Sequence, residues 1–293
     1  AVHPELELTD ATGEGPPLFW RNLDISNEAA RALVKDLLEE YLPLFPGRYW
    51  HMGGDEYLTP TRQALFPQLL LDAQRRYGPS ATVNDEVNGF YNWVHRIVRA
   101  HGKTLRAWSD QFTPGTTVAL DAAILAEWWS GVSPLSEPRT RTPAELLADG
   151  HRIMNAGWFP TYYAEDIGRV EGRPDPADAY ETWSVNQFCS ARIDGVFIVP
   201  CLQVAADDER LVGAKINAWG QAGTTLEQIA EDLFPRLRMI AQKTWDSPPL
   251  APSYPETRTN RISPSSTSTA TREPAEQVSS LHASSLDSVP GQA

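Results

Sequence analysis

The stretch Arg48-Tyr49-Trp50-His51-Met52-Gly53-Gly54-Asp55-Glu56-Tyr57 runs from an aromatic, strand-like segment straight into two glycines and two adjacent carboxylates. Paired glycines permit an abrupt backbone turn because neither carries a Cβ that clashes there. In a parallel α/β sheet the C-terminal strand ends form the ligand face, so a strand ending at Gly54 delivers Asp55 and Glu56 to a pocket. On a continuing strand the two acids would point to opposite faces. Released from it, they can address two parts of one ligand. Two other readings of these residues stay open. Asp55 and Glu56 can be solvated loop acids or cap the helix after Thr59-Pro60. Alternatively, His51, Asp55 and Glu56 can hold a divalent metal for a hydrolase, although hard cations take more oxygen ligands than this cluster offers.

Outward from this stretch, helix and strand signals alternate. Ser26 is expected to cap a helix over residues 27–45, with Leu33, Leu37, Leu38 and Tyr41 on one face. A helix-compatible stretch holding Phe90, Trp93, Val94, Ile97 and Val98 leads to Gly102. Residues 105–108, 123–129, 151–155 and 211–219 read as further strands. Thr142-Pro143-Ala144-Glu145 and Thr225-Leu226-Glu227-Gln228 are capping boxes, the second opening a helix past Pro235 towards Trp245. Repeated strand–loop–helix units with apolar strands predict an α/β fold, a parallel sheet covered by helices. About five such units are visible, whereas a closed (β/α)8 barrel needs eight. No internal repeat is visible.

The 293 residues are 41% hydrophobic, 10% aromatic and 22% charged, a globular composition. Lys and Arg total 25 against 38 Asp and Glu, a formal charge of −13. Such an acidic surface repels phosphate backbones and anionic headgroups, which argues against nucleic-acid and membrane partners. No apolar run approaches the ~18 residues that span a bilayer. Ten Trp and nine Tyr supply flat faces that suit sugar rings and cores alike. Cys189 and Cys201 make neither a disulfide framework nor a zinc site; pairing across a short loop and free thiols both stay open. Residues 247–293 hold 11 Ser and 7 Pro, the composition of a disordered tail. The chain opens on Ala1 with no leader-like segment, as expected of a processed protein or of part of a longer one.

The run from His51 to Glu56 resembles the His-x-Gly-Gly-Asp-Glu signature of the glycoside hydrolase family 20 β-N-acetylhexosaminidases. Further features follow in that family's order. Trp108-Ser109-Asp110 is similar to its Trp-x-Asp/Glu at the next strand end, and Glu127-Trp128-Trp129 to the strand that supplies a pocket Trp. Thr161-Tyr162-Tyr163 lies where the family places a Tyr that touches the substrate acetamide. Residues 213–221, with Trp219 and Gln221, resemble the last strand, and residues 235–245 the closing helix. The resemblance covers about residues 1–246. It implies a partial TIM (β/α)8 barrel of about five βα units, the family's strands 4 to 8, followed by the tail at 247–293.

Three departures stand out. Gln221 occupies the place of an acid that binds sugar hydroxyls, and Ala164 that of an Asp often found after the Tyr. The opening residues resemble the segment just beyond the family's third strand, so the expectation is the C-terminal part of a longer enzyme. A sugar-binding Arg and a Pro-Gly-His segment precede that point in the family, which is often exported.

The chemistry implied is retaining exo-hydrolysis of terminal β-linked N-acetylhexosamine (GlcNAc or GalNAc) from a glycan. The substrate's own acetamide oxygen attacks the anomeric carbon through an oxazolinium intermediate, an exception to the two-carboxylate rule. Glu56 serves as acid and then base, while Asp55 stays ionised and orients the acetamide. Tyr162 holds the acetamide oxygen; Trp108, Trp129 or Trp128, and Trp219 wall the sugar. His51, Asp110 and Gln221 complete the implied site, with no metal or other cofactor. Each Trp is equally a candidate for core packing. The alternative is a truncated, inactive sugar-binding remnant of such an enzyme.

Overall fold

The computed structural model describes residues 3–10, 12, 22–58, 60–129, 140–164, 171–219 and 225–245. The expected tail at 247–293 and Gln221 lie outside them. The helices are α1 (Glu28–Tyr41), α2 (Pro60–Gln63), α3 (Pro67–Tyr77), α4 (Val83–Ala100), α5 (Pro143–Ala148), the irregular turn α6 (Trp158–Thr161), α7 (Pro176–Thr182) and α8 (Leu226–Thr244). The strands are β1 (Tyr49–His51), β2 (Thr104–Trp108), β3 (Leu125–Trp128), β4 (Ile153–Asn155), β5 (Tyr162–Tyr163), β6 (Gln187–Phe188), β7 (Arg192–Ile193), β8 (Val196–Phe197), β9 (Leu202–Gln203), β10 (Leu211–Ala214) and β11 (Asn217–Ala218).

β1, β2, β3, β4 and β10 form one sheet in that spatial order, each neighbouring pair parallel. The expected α/β fold with a helix-covered parallel sheet is therefore present. Both capping boxes close as read, Thr142 with Glu145 and Thr225 with Gln228. α1 differs at both ends. The Asn27 side chain, not Ser26, caps it by accepting the Ala29 N–H at 2.9 Å, because the Ser26 hydroxyl donates to Asp24 instead. It stops at Tyr41 and yields to a 3-10 turn over Leu42–Leu44, where Pro43 has no N–H to continue the helix. The strand read over 211–219 is two pieces: β10 pairs with β4, the chain breaks step at Lys215 and Ile216, and β11 pairs with β5.

Side-chain alternation sorts the sheet into two faces. Leu105, Ala107, Ala126 and Trp128 join the buried cluster under the helices, with Val87, Tyr91, Val94 and Val98 of α4 in the same cluster. Each large apolar side chain buried there stabilises the fold by roughly 1.5–3 kcal/mol. Arg106, Trp108 and Glu127 alternate with those residues and face the other way. A second cluster joins α7 and α8 through Phe159, Tyr180, Trp183, Met239 and Ile240. Cys189 belongs to it and forms a disulfide with Cys201, closing an excursion that contains the β7–β8 hairpin. Among the described residues no helix is long and apolar enough to cross a membrane.

Candidate active site

The turn after β1 is built by close approach. Gly53 and Gly54 take φ of 75° and 88°, and Glu56 follows with φ of 52°, a left-handed conformation uncommon for a non-glycine residue. A Cβ on Gly54 would lie 2.0 Å from the Tyr91 hydroxyl, which donates to the Gly54 carbonyl at 2.6 Å. Only glycine fits there. Asp55 and Glu56 leave the turn exposed, at the C-terminal end of β1.

Asp110, just past the end of β2, anchors this turn. Its Oδ2 accepts the Glu56 backbone N–H at 2.7 Å, and its Oδ1 accepts the Trp129 indole N–H at 2.9 Å. From Trp129 an aromatic wall continues. Trp129 stacks on Tyr162 with centroids 6.3 Å apart, Tyr162 lies 5.8 Å from Trp219, and Trp219 6.4 Å from Trp108. His51 meets Trp108 edge-on at 5.1 Å. Apart from Trp128, treated below, and Gln221, which lies outside the described residues, the sequence-derived site residues lie along this path. Trp158, not singled out by sequence, stacks on Tyr162 at 4.6 Å; nothing marks it in the sequence beyond its being aromatic.

Trp128 is corrected from wall to core. It is fully buried and packs edge-on against Phe188 at 5.6 Å. The reason is alternation: with Glu127 turned to the ligand side, Trp128 points under the helices and Trp129 returns to the site. Eight of the ten sequence-derived residues therefore share the site, Gln221 being outside the described residues.

The electrostatics suit a proton donor beside anions. Protein packed around the Glu56 carboxyl, then the charges of Asp110 and Asp55, push its pKa above the ordinary value. Burial raises Asp110 as well, against the pull of its hydrogen bonds from Trp129 and Glu56. Burial and the charges of Asp110, Asp55 and Glu56 drive the Tyr162 hydroxyl far upward. Tyr162 is therefore a protonated donor at any working pH.

Beneath this wall lies an ion cluster that sequence reading missed. Glu127, with no exposed surface, receives Arg106 and Lys215 in charged hydrogen bonds, and its Oε2 is 3.3 Å from His51 Nε2. Burial opposes its charge, but His51 and Lys215 outweigh that and hold its pKa at about 2. The His51 Nδ1 accepts the Gly53 N–H at 2.9 Å, so His51 is turned towards the turn backbone and Glu127. Charged residues alternating with apolar ones in β2 and β3 were the available signal. Among the described residues no three His, Cys, Asp or Glu side chains group as metal ligands.

The parallel α/β sheet presents adjacent carboxylates and an aromatic wall at its C-terminal strand ends, a lining of the kind that receives a sugar ring. Comparison with known proteins makes the class specific. Residues 17–248 match the catalytic domain of glycosyl hydrolase family 20, and the chain belongs to that family. It is 34% identical to a lacto-N-biosidase of Bifidobacterium bifidum over 85% of this chain and 21% of that protein. It is 25% identical to a beta-N-acetylhexosaminidase of Cellulomonas fimi over 75% of this chain and 36% of that one. The chain thus spans about a fifth to a third of these relatives. In fold it matches a beta-N-acetylhexosaminidase of Bacteroides fragilis with a TM-score of 0.63 at 15% identity, covering 89% of this chain and 49% of that one. The resemblance read from His51 to Glu56 is borne out.

Proposed function

We propose that this site belongs to a retaining exo-glycosidase that releases terminal β-linked N-acetylhexosamine by substrate-assisted catalysis. The supporting observation is the contact path from the Glu56 backbone through Asp110 and Trp129 to Tyr162, which gathers the turn carrying a raised-pKa acid and a buried phenol at one site. Glu56, protonated, gives its proton to the leaving oxygen as the glycosidic bond breaks. The substrate's acetamide oxygen forms the new bond to the anomeric carbon, giving an oxazolinium ion. Asp55 accepts the acetamide N–H and balances its growing positive charge, while Tyr162 donates to the acetamide oxygen and aims it. Water then attacks the anomeric carbon, Glu56 takes its proton, and the configuration is retained.

A second reading follows the 34% identity to the lacto-N-biosidase: the unit released is then lacto-N-biose. One experiment separates the two. Turnover of an aryl N-acetylglucosaminide and of an aryl lacto-N-bioside is measured for the wild type, Glu56→Gln and Asp55→Asn. Release of one aglycone, abolished in both variants, identifies the substrate. Unchanged rates in either variant refute the assignment of roles, and no turnover of either compound favours the inactive sugar-binding remnant.

A further inference from the structure

Lys215 occupies the step where β10 ends and before β11 begins, between the strand paired to β4 and the strand paired to β5. Its ammonium lies 3.7 Å from the centroid of the Trp108 ring and is ion-paired to the fully buried Glu127. Trp108 is itself 8% exposed, with His51 against its edge and Trp219 beyond it. We propose that Lys215 is a positioning residue for the sugar wall: Glu127 seats its ammonium on the face of Trp108 and so fixes that indole relative to Trp219.

Three features carry this. First, a cation on an indole face is attracted by the ring quadrupole, and the attraction strengthens where water is excluded. Second, Glu127 reaches Lys215 from β3 while Trp108 stands on β2 beside it, in register with Glu127. The pair therefore locks three strand ends at one level. Third, a buried ion pair is a weak stabiliser compared with apolar residues of similar volume, and burial depresses Lys215 here. The pair is better explained by the geometry it imposes on Trp108 than by stability.

The inference rests on the glycosidase reading for its kinetic consequence but not for its geometry, and the test separates them. The chain has four lysines, so ε-carbon-labelled lysine gives a simple NMR spectrum in which Lys215→Met assigns one signal. Ring current from Trp108 displaces that signal upfield in the wild type, and Glu127→Gln returns it towards the unshifted position. In turnover of the acetamido-sugar substrate, Lys215→Met raises KM about tenfold and leaves kcat within about threefold. Lys215→Arg, which keeps the charge and the stacking, restores most of the KM. A Lys215 signal unmoved by Glu127→Gln, or a KM unaltered in Lys215→Met, overturns the proposal. If Glu127→Gln fails to fold, the Met and Arg pair at 215 decides alone. A displaced signal that collapses in Glu127→Gln, in a protein that hydrolyses no acetamido sugar, supports the positioning role and refutes only the glycosidase reading.

Discussion

Asp110 holds Glu56 by its backbone, not its side chain: Oδ2 accepts the Glu56 N–H at 2.7 Å, leaving the Glu56 carboxyl free to meet substrate. The same carboxylate raises the Glu56 pKa through its charge. One residue thereby sets both where the acid sits and how readily it keeps its proton. Asp110→Asn retains an acceptor oxygen but loses the charge. Glu56 must be protonated to act as acid, so its activity falls as pH rises through its pKa. Removing a charge that raises that pKa moves this alkaline limb to lower pH, and loosening the anchor lowers kcat by roughly tenfold to a hundredfold. A pH–rate profile of the variant checks both; an unmoved limb contradicts the assignment.

Tyr162 is wedged among aromatic rings, with Trp158 stacked on it at 4.6 Å and the Trp219 ring 5.8 Å away. Tyr162→Phe keeps those stacking contacts and deletes only the hydroxyl. The loss of one donor aimed at the acetamide oxygen is expected to lower kcat on the order of a hundredfold. Because burial and nearby carboxylates keep this hydroxyl protonated, the shape of the pH–rate profile stays that of the wild type. Steady-state kinetics across pH is the check.

Gly54→Ala tests the turn itself. The substitution meets a positive φ of 88° and places a methyl 2.0 Å from the Tyr91 hydroxyl and 2.7 Å from its ring carbon. The left-handed conformation alone costs about 1–2 kcal/mol, so the variant is expected to melt several degrees lower and to lose turnover. Adding Tyr91→Phe removes the hydroxyl but not the ring, so recovery should be partial. Full recovery of melting temperature and activity would show that the hydroxyl, not the glycine's conformation, is what matters.

The sequence carried the site more fully than the fold around it. Gly53, Gly54 and the two acids are local: their conformational demand and their chemistry are written in adjacent residues. The strands of the main sheet were likewise legible because their apolar runs are bounded by turn residues. Trp128 was misread because its neighbour Trp129 shares its residue type, and only the inward turn of Glu127 tells the two apart. Helices α3 and α7 escaped notice; α3 lacks a capping side chain at Phe66 and α7 is a short segment of seven residues. The Cys189–Cys201 pairing depends on how the excursion between β6 and β9 folds back, which no spacing rule fixes. The Arg106–Glu127–Lys215 cluster needs three strands in register, a relation that sequence leaves implicit.

That cluster also sets the acid response of the fold. The Glu127 carboxyl is depressed from an ordinary 4.5 to about 2; burial opposes the charge, while His51 and Lys215 favour it. A depressed carboxylate contributes stability above its unfolded pKa and loses it as pH falls through the folded value. The window is therefore from about pH 4.5 down to about pH 2. The shift corresponds to at most about 3 kcal/mol, and Lys215, itself held low by burial, offsets part of it. Glu127→Gln, which also strands Arg106 and Lys215 without a counter-charge, is expected to be less stable than the wild type at neutral pH. Its deficit should shrink steadily as pH drops through that window, because the wild type then loses the same carboxylate charge. Denaturant melts of both proteins at neutral pH and at several acidic values measure this directly, and a deficit constant across the window would mean that Glu127 is not charged in the folded state.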